Sequence, residues 1–462
     1  MSTLSIINAN KIQSSLVDSA TENPSQIREI LAKALEFKGL NLQEVAQLTT
    51  TKSPELLKEI FAAANRVKEE IYGRRVVIFA PLYVSNLCSN ECLYCAFRVS
   101  NRDLKRRVLS LSEIKSEVES LVNQGHKRLL LVSGETYPQD DFQYILDAIK
   151  AVYEVANQHG EIRRVNVNLA PLDTDDFKRL KDAAIGTYQL FQETYHRDTY
   201  SQVHVSGKKA DYDWRLSVFD RAIPSGIDDV GIGALFGLYD WRFEVLALLE
   251  HSNYLQNKYG VGPHTISVPR LEPALGSHIA SHPLAPVSDI DFCKIVAILR
   301  LAIPYTGIIM STRESLQMRQ QTLALGVSQI SAGSRTNPGG YSDAGLTDDS
   351  QFSLGDHRSL DDVVRDVASL GYIPSFCTAC YRLGRTGEDF MGLAKHGNIK
   401  QICAPNAIAT FAEYLNNTAS EATKIVGHKL IQSKLELMSD ETRNLSEKLL
   451  ARLASGQKDV YV

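Results

Sequence analysis

The sequence predicts an α/β fold: a full (β/α)8 barrel with N-terminal helices before it and a mainly helical C-terminal domain after it. Three observations carry that expectation. From residue 75 onward, short β-branched runs alternate with helical stretches, the pattern of a parallel sheet. The eight units fill residues 75–336, close to the roughly 250 residues usual for a closed barrel. After Thr336 the rhythm stops and helical sequence takes over. A doubly wound open sheet is the alternative reading of the same alternation.

Residues 1–74 read as an N-terminal helical extension. Pro24 and Ser25 can open a helix whose apolar face includes Leu31, Leu35 and Phe37. A second helix follows Ser53-Pro54, with Leu56, Leu57, Ile60 and Phe61 at helical spacing. Strands are expected at 76–84, 128–133, 164–169, 187–194, 229–236, 265–270, 307–312 and 329–332. Helices are expected between them, at 111–124, 142–157, 242–257, 290–301 and 315–325. Residues 337–462 form the third unit. It opens with a surface connection at 337–353, rich in Gly, Asp and Ser. An amphipathic helix over 430–453 ends it. No repeat or low-complexity tract interrupts the chain.

A length of 462 residues suits two or three structural units, and 44% hydrophobic with 23% charged residues is ordinary for a globular protein. Lys plus Arg is 50 and Asp plus Glu 54. The net charge of −4 argues against a nucleic-acid binder and does not support an electrostatic membrane anchor. The first residues, MSTLSIINANKI, lack the basic and apolar regions of a signal peptide, and no apolar run is long enough for a transmembrane helix. The expectation is a soluble protein of a reducing, cytoplasmic compartment, with no nucleic-acid or membrane partner. Seven cysteines are a poor match to a secreted disulfide framework. Six of them fall into two groups of three, which is how thiols gather when they bind metal.

The first group is Cys88, Cys92 and Cys95, in SNLCSNECLYCAF. It follows the first strand, in a loop over the C-terminal face, where barrels of this kind carry their active sites. Three thiolates can hold three irons of a [4Fe–4S] cubane and leave the fourth open to a small chelating molecule. A zinc site would want four closed ligands and paired spacing. On this CxxxCxxC motif, with Tyr94 before its last cysteine, the chain resembles the radical S-adenosylmethionine enzymes. The resemblance implies that S-adenosylmethionine chelates the open iron, and that reductive cleavage of its sulfonium bond gives a 5′-deoxyadenosyl radical. It also implies cofactor contacts at Gly134 and Glu135, where the family often has Gly-Gly-Glu and this chain has Ser133-Gly134-Glu135. Arg215 stands where related barrels bind the cofactor carboxylate; a charge on a helix surface is the plain alternative. Glu193, ending the fourth strand, is a further candidate contact, or else half of a structural salt bridge. Gly231 and Gly233 in GIGALFG are a weak dinucleotide signal, and are better read as glycines that let a strand approach adenosine.

The second group is Cys377, Cys380 and Cys403. A zinc knuckle short of one ligand, or a redox CxxC beside an unrelated cysteine, explains three neighbouring thiols less well than a second iron–sulfur cluster. With this pairing the chain resembles the tyrosine lyases that mature FeFe-hydrogenase. The similar stretches include APLYVSNLCSNECLYCAF, GTYQLFQETYHRDTY, GIGALFGLYDWRFE, GPHTISVPR, SAGSRTNPGGY and CTACYRLGRTGEDFM, within residues 80–410. The related lyases of thiazole synthesis share the barrel motifs but lack the CxxC…C extension.

That likeness implies a reaction. The radical takes a hydrogen from the amino group of L-tyrosine, and Cα–Cβ scission releases p-cresol and dehydroglycine. The second cluster carries an extra labile iron with His264 of the GPHT motif as a ligand, and CO and cyanide form there. A capping or core histidine is the alternative for His264. Arg313 and Ser331 are expected to bind the substrate's carboxylate or amino group, as an Arg and a Ser do in a related tryptophan lyase, although Arg313 could instead pair with Glu314. The resemblance further implies a reductant such as flavodoxin or ferredoxin, and the other hydrogenase maturases, as partners. Barrel interiors are normally filled, so this chemistry demands an internal passage. Competing readings are the thiazole-pathway lyase, a non-enzymatic iron–sulfur carrier and a zinc-stapled barrel. Cys293, among apolar neighbours, reads as a core thiol.

Overall fold

A computed structural model describes residues 6–342, 349–395 and 399–462, so part of the predicted 337–353 connection lies outside the described residues. Eight parallel strands follow one another around a closed barrel. They are β1 (Arg75–Ser85), β2 (Arg128–Ser133), β3 (Arg164–Asn168), β4 (Tyr188–Gln189), β5 (Val230–Gly233), β6 (Thr265–Ser267), β7 (Gly307–Met310) and β8 (Gln329–Ser331). Pairing of Val77, Ile78 and Phe79 with Gln329, Ile330 and Ser331 closes the ring between β1 and β8. Every predicted strand is found, and most are shorter than the sequence suggests. The wall beyond their ends is prolonged only by isolated bridges, Glu193 to Ala234 and Phe236 to Arg270, where the chain turns into the loops of the C-terminal mouth.

The two faces of the wall differ in chemistry. On β1 the residues facing the surrounding helices, Val76, Ile78, Ala80, Leu82 and Val84, are wholly buried in the hydrophobic core. The helices that cover them start at well-formed caps, such as the Ser110–Glu113 capping box before the helix Leu111–Asn123. The inner face is unusual. Barrels of this kind fill their interior with layers of Val, Ile and Leu. Here β3, β4, β6 and β8 turn Asn168, Gln189, Ser267 and Ser331 inward, and cavities enter from both mouths.

Four helices precede the barrel: Ala9–Asp18, Pro24–Ala34, Leu42–Thr49 and Pro54–Tyr72. The apolar face read through Phe37 ends early, because Phe37 and Gly39 both take positive φ. A side chain at Gly39 would meet the Ala302 carbonyl at 2.7 Å, so the turn requires glycine. After the barrel, a ninth strand, β9 (Ile373–Ser375), pairs in parallel with Arg75–Val77 of β1. The first residues of β1 overhang the start of β8, and β9 covers that edge. The remainder is helical: Leu360–Ser369, Ala379–Arg382, Gly387–Lys395, Ile399–Asn417, Glu421–Glu436 and Asp440–Ala454. The single helix predicted over 430–453 is two, because Leu437 ends one and Ser439 caps the next. Among the described residues no helix is long and apolar enough to cross a membrane.

Candidate active site and second cluster site

The loop after β1 carries the first three cysteines and is tied down along its length. Leu93 N–H donates to the Val203 carbonyl (2.9 Å), Ser277 Oγ donates to the Leu93 carbonyl (2.6 Å), and Asn101 Nδ2 to the Ala96 carbonyl (2.8 Å). Cys92 is buried, and Cys88 and Cys95 are half-buried. Burial raises all three thiol pKa values, that of Cys95 to about 11. The amides of Asn90 and Gln351 reach the sulfurs of Cys88 (3.6 Å) and Cys95 (3.7 Å). Among the described residues no three His, Cys, Asp or Glu side chains converge on one ion. Three thiols on one loop leave a tetrahedral zinc short of a ligand and suit three irons of a cluster.

Behind this loop four charged side chains close on one another. Glu135 accepts from Arg215 Nη1 and Asn90 Nδ2, both at 2.9 Å, and lies 3.7 Å from Lys209 Nζ. Glu193 accepts from Lys209 Nζ at 2.7 Å and lies 3.8 Å from Arg215. Burial opposes the charge on Glu135, yet Arg215 and Lys209 outweigh it and hold its pKa below the usual carboxylate range. Arg215 is 3% exposed, so the helix-surface reading of it is overturned. The short helix Tyr212–Leu216 points it inward, where its Nε also donates to the Phe191 carbonyl at 2.8 Å. Lys209 has no signal in the sequence beyond its neighbour Lys208. Two carboxylates against two cations complement a zwitterionic α-amino-acid headgroup, whose carboxylate and ammonium can each find an opposite charge.

Glu193 holds a strained backbone, with φ of 70°. Its carbonyl accepts from Leu235 N–H at 2.7 Å. The following residues are gripped by Glu244, buried in the helix Trp241–Tyr259. Glu244 accepts from the Thr194 hydroxyl and from Tyr195 N–H (2.9 Å). Burial lifts its pKa to about 7. Nothing in the sequence pointed to Glu244.

These groups border a cavity of about 160 Å3 at the C-terminal mouth, which Tyr94, Cys95, Glu193, Lys209, Arg313 and Ser331 help to line. The Tyr94 hydroxyl is engaged by His204 Nε2 at 2.8 Å. Arg313 lies over the Phe352 ring, 3.3 Å from its centre, and makes only a long contact to the Arg270 carbonyl (3.5 Å). The suggested Arg313–Glu314 pair does not form, because Arg270 Nε holds Glu314 at 2.9 Å. Arg313 therefore offers the cavity a guanidinium with no carboxylate partner among the described residues. Ser331 Oγ accepts from Thr312 N–H at 3.1 Å and keeps its own proton free to donate.

The glycines have steric explanations. A side chain at Gly134 would strike the Leu87 carbonyl at 2.0 Å, so glycine lets β2 end against the cysteine loop. The Gly134 N–H donates to the Ser85 carbonyl (2.8 Å), and the Gly134 carbonyl accepts from Ser133 Oγ (3.0 Å). At Gly231 an added carbon would meet Thr265 Oγ1 at 2.5 Å, and at Gly233 the Phe191 ring at 2.7 Å. Close packing of the barrel thus requires glycine at both positions.

The second triad assembles at the opposite mouth. Cys377 follows β9, Cys380 lies in the helix Ala379–Arg382, and Cys403 in Ile399–Asn417. All three line a smaller cavity with His264, Asp229, Arg75, Arg128 and Arg385. A hydrogen bond from Cys380, backed by Arg75, Arg385 and Arg128, lowers the Cys403 pKa towards the thiolate. His264 stands just before β6. Its Nδ1 is buried without a hydrogen bond, 3.6 Å from Asp229 Oδ1. Burial lowers its pKa and keeps the imidazole neutral, the form that binds metal. Three thiols, one of them acidified, and a neutral histidine with an unpartnered nitrogen are donors that fit an iron–sulfur cluster with a further iron. Cys293 is buried, 4.0 Å from the Met318 sulfur, and far from this chemistry in role.

Comparison with known proteins places this arrangement. Residues 82–249 match the Radical SAM superfamily, and residues 267–373 the Biotin and Thiamin Synthesis associated domain. The 2-iminoacetate synthase of Escherichia coli is 32% identical over 357 residues, which is 77% of this chain and 92% of that protein. A crystal structure of HydG, a maturase of the [FeFe]-hydrogenase, matches with a TM-score of 0.96 and 47% identity over 99% of this chain and all of that one. The chain belongs to the HydG-type maturases of the radical S-adenosylmethionine family. HydG from Carboxydothermus hydrogenoformans agrees, at 42% identity and a TM-score of 0.82 over 96% of this chain and 98% of that one. Methylornithine synthase, at 21% identity and a TM-score of 0.63, shares the fold. The HydG match takes in almost the whole chain, whereas the synthase match leaves about a quarter of it uncovered.

Proposed function

We propose that this protein cleaves L-tyrosine at the Cα–Cβ bond to p-cresol and dehydroglycine, and converts dehydroglycine to CO and cyanide for the active-site cluster of FeFe-hydrogenase. The observation that carries this reading is the pair of thiol triads at opposite mouths of one barrel, each beside its own cavity. When bound, a [4Fe–4S] cluster with S-adenosylmethionine supplies the 5′-deoxyadenosyl radical. Cys88, Cys92 and Cys95 would hold that cluster. Glu135, Glu193, Arg215 and Lys209 would clamp the methionyl headgroup, and Tyr94 would support the site from its wall. Arg313 is suited to the substrate carboxylate and Ser331 to a second polar contact, which together would orient tyrosine in the cavity. Leu235, Leu271 and Phe191, in the same lining, keep water from a reactive intermediate. Cys377, Cys380, Cys403 and His264 would hold the second cluster and its labile iron. A reductant such as flavodoxin or ferredoxin, and the other hydrogenase maturases, are the partners this chemistry requires.

The likeness to 2-iminoacetate synthase favours a second reading, in which the reaction stops at dehydroglycine. The test is to incubate the reduced, reconstituted enzyme with tyrosine and S-adenosylmethionine, then assay p-cresol, and CO by its capture on haemoglobin. Both products are expected. p-Cresol without CO or cyanide would leave only the second reading. Failure to form 5′-deoxyadenosine would point to a non-enzymatic carrier.

A further inference from the structure

One row of paired residues lies between the two cavities. Strand register sets Asn168 beside Gln189, Gln189 beside Gly231, Gly231 beside Thr265, and Thr265 beside Gly307. Asn168 and Gln189 line the upper cavity, and Gly307 lines the lower one together with Gln329. Both glycines yield their side-chain space to polar groups of the neighbouring strands. A carbon added at Gly231 would lie 2.5 Å from Thr265 Oγ1 and 2.8 Å from Gln189 Cγ; one at Gly307 would lie 2.7 Å from Gln329 Nε2. The barrel at this level is thus crossed by amides and a hydroxyl.

Buried polar atoms at and below this row lack partners. Thr265 Oγ1 is buried with no hydrogen bond, and below it so are His264 Nδ1, Asp229 Oδ2 and the Nε atoms of Arg128 and Arg75. A buried polar atom left unsatisfied costs about 1–3 kcal/mol. Native proteins usually resolve that cost with water or a polar solute. Such atoms run from the row down to the cavity of the second triad.

We infer that this row, with Gln329, is a polar filter that passes dehydroglycine and holds back tyrosine and p-cresol. The inference rests on the tyrosine-lyase reading. The amides and the hydroxyl can hydrogen-bond to the carboxylate and imine of a two-carbon solute as it sheds water. Arg128 and Arg75 then attract the carboxylate from below. An aromatic ring offers little to these groups and would have to push them aside.

Two variants test the filter. Thr265→Val keeps the side-chain shape and removes the hydroxyl. Gly307→Ala presses on the flexible end of Gln329 and more lightly on the His264 carbonyl (3.3 Å), so the barrel should still fold, and iron bound per chain is measured to show that the second site is kept. Each full-length, reconstituted enzyme is given tyrosine, S-adenosylmethionine and reductant, and p-cresol, CO and glyoxylate are measured. Retained dehydroglycine is hydrolysed: water adds to its C=N bond, giving glyoxylate and ammonia. The expected result is p-cresol formation near that of the parent, CO per p-cresol lower by about tenfold, and glyoxylate rising to replace the missing CO. Unchanged CO per p-cresol in both variants overturns the filter, as does a fall of CO strictly in step with p-cresol. A parent enzyme that makes p-cresol but no CO removes the lyase-to-CO reading and the filter with it. A crystal structure of the parent should also show ordered water on Thr265 Oγ1, and a dry hydroxyl there contradicts the proposal.

Discussion

Arg313 and Glu244 make the sharpest residue-scale predictions. A charged hydrogen bond in a buried site is worth about 1.5–3 kcal/mol. Arg313→Gln should therefore raise the KM for tyrosine by roughly ten- to a hundredfold and leave that for S-adenosylmethionine near the parent value. Steady-state kinetics with each substrate varied in turn would check this. Glu244→Ala should do the reverse, because it frees the segment that holds Glu193 and spares Arg313. Glu244 also carries a pH signature. Its folded pKa of about 7 lies above the ordinary 4.5, so its contribution to stability is fully present below 4.5 and is lost as pH rises through 7. Thermal melts of the parent should fall more steeply between pH 5 and 8 than those of Glu244→Gln. The cysteines were legible in the sequence because six of the seven fall into two groups of three. Lys209 and Glu244 were not, since no spacing rule ties them to carboxylates or hydroxyls that only the fold brings near.

Among the elements, the barrel strands announced themselves by β-branched runs between helical stretches. Their true lengths did not, because Glu193 and its neighbours leave regular pairing to build the mouth. The breaks at Phe37 and Leu437 escaped because the helical apolar spacing runs through them. β9 escaped because it has three residues, one of them Pro374, and such a strand survives only on an edge. Yet β9 sets Cys377 at the N-terminal mouth. Ile373 is 4% exposed there. Burying an unpaired charge at that position should unseat the strand. Ile373→Asp is expected to lower the iron bound after reconstitution from about eight per chain towards about four, with 5′-deoxyadenosine formation retained. Iron analysis beside a cofactor-cleavage assay would show this, and full iron content would show that β9 does not position the second triad.

At the scale of the whole molecule, one barrel separates two chemistries by its own height. On the proposed reaction, radical cleavage would belong to the charged C-terminal mouth. The thiol- and arginine-rich N-terminal mouth suits iron and small anionic or π-acid ligands. The polar residues between them would let a small polar molecule pass, where a Val- and Leu-filled barrel would not. The central claim is that each triad holds its own cluster. EPR of the anaerobically reconstituted, reduced protein tests it most directly, with Cys88→Ala and Cys377→Ala compared with the parent. The parent should show two cluster signals. Cys88→Ala should lose the one that responds to S-adenosylmethionine and keep the other, and Cys377→Ala should do the opposite. A single signal in the parent, or one variant that abolishes both signals while the protein stays folded, would contradict the account.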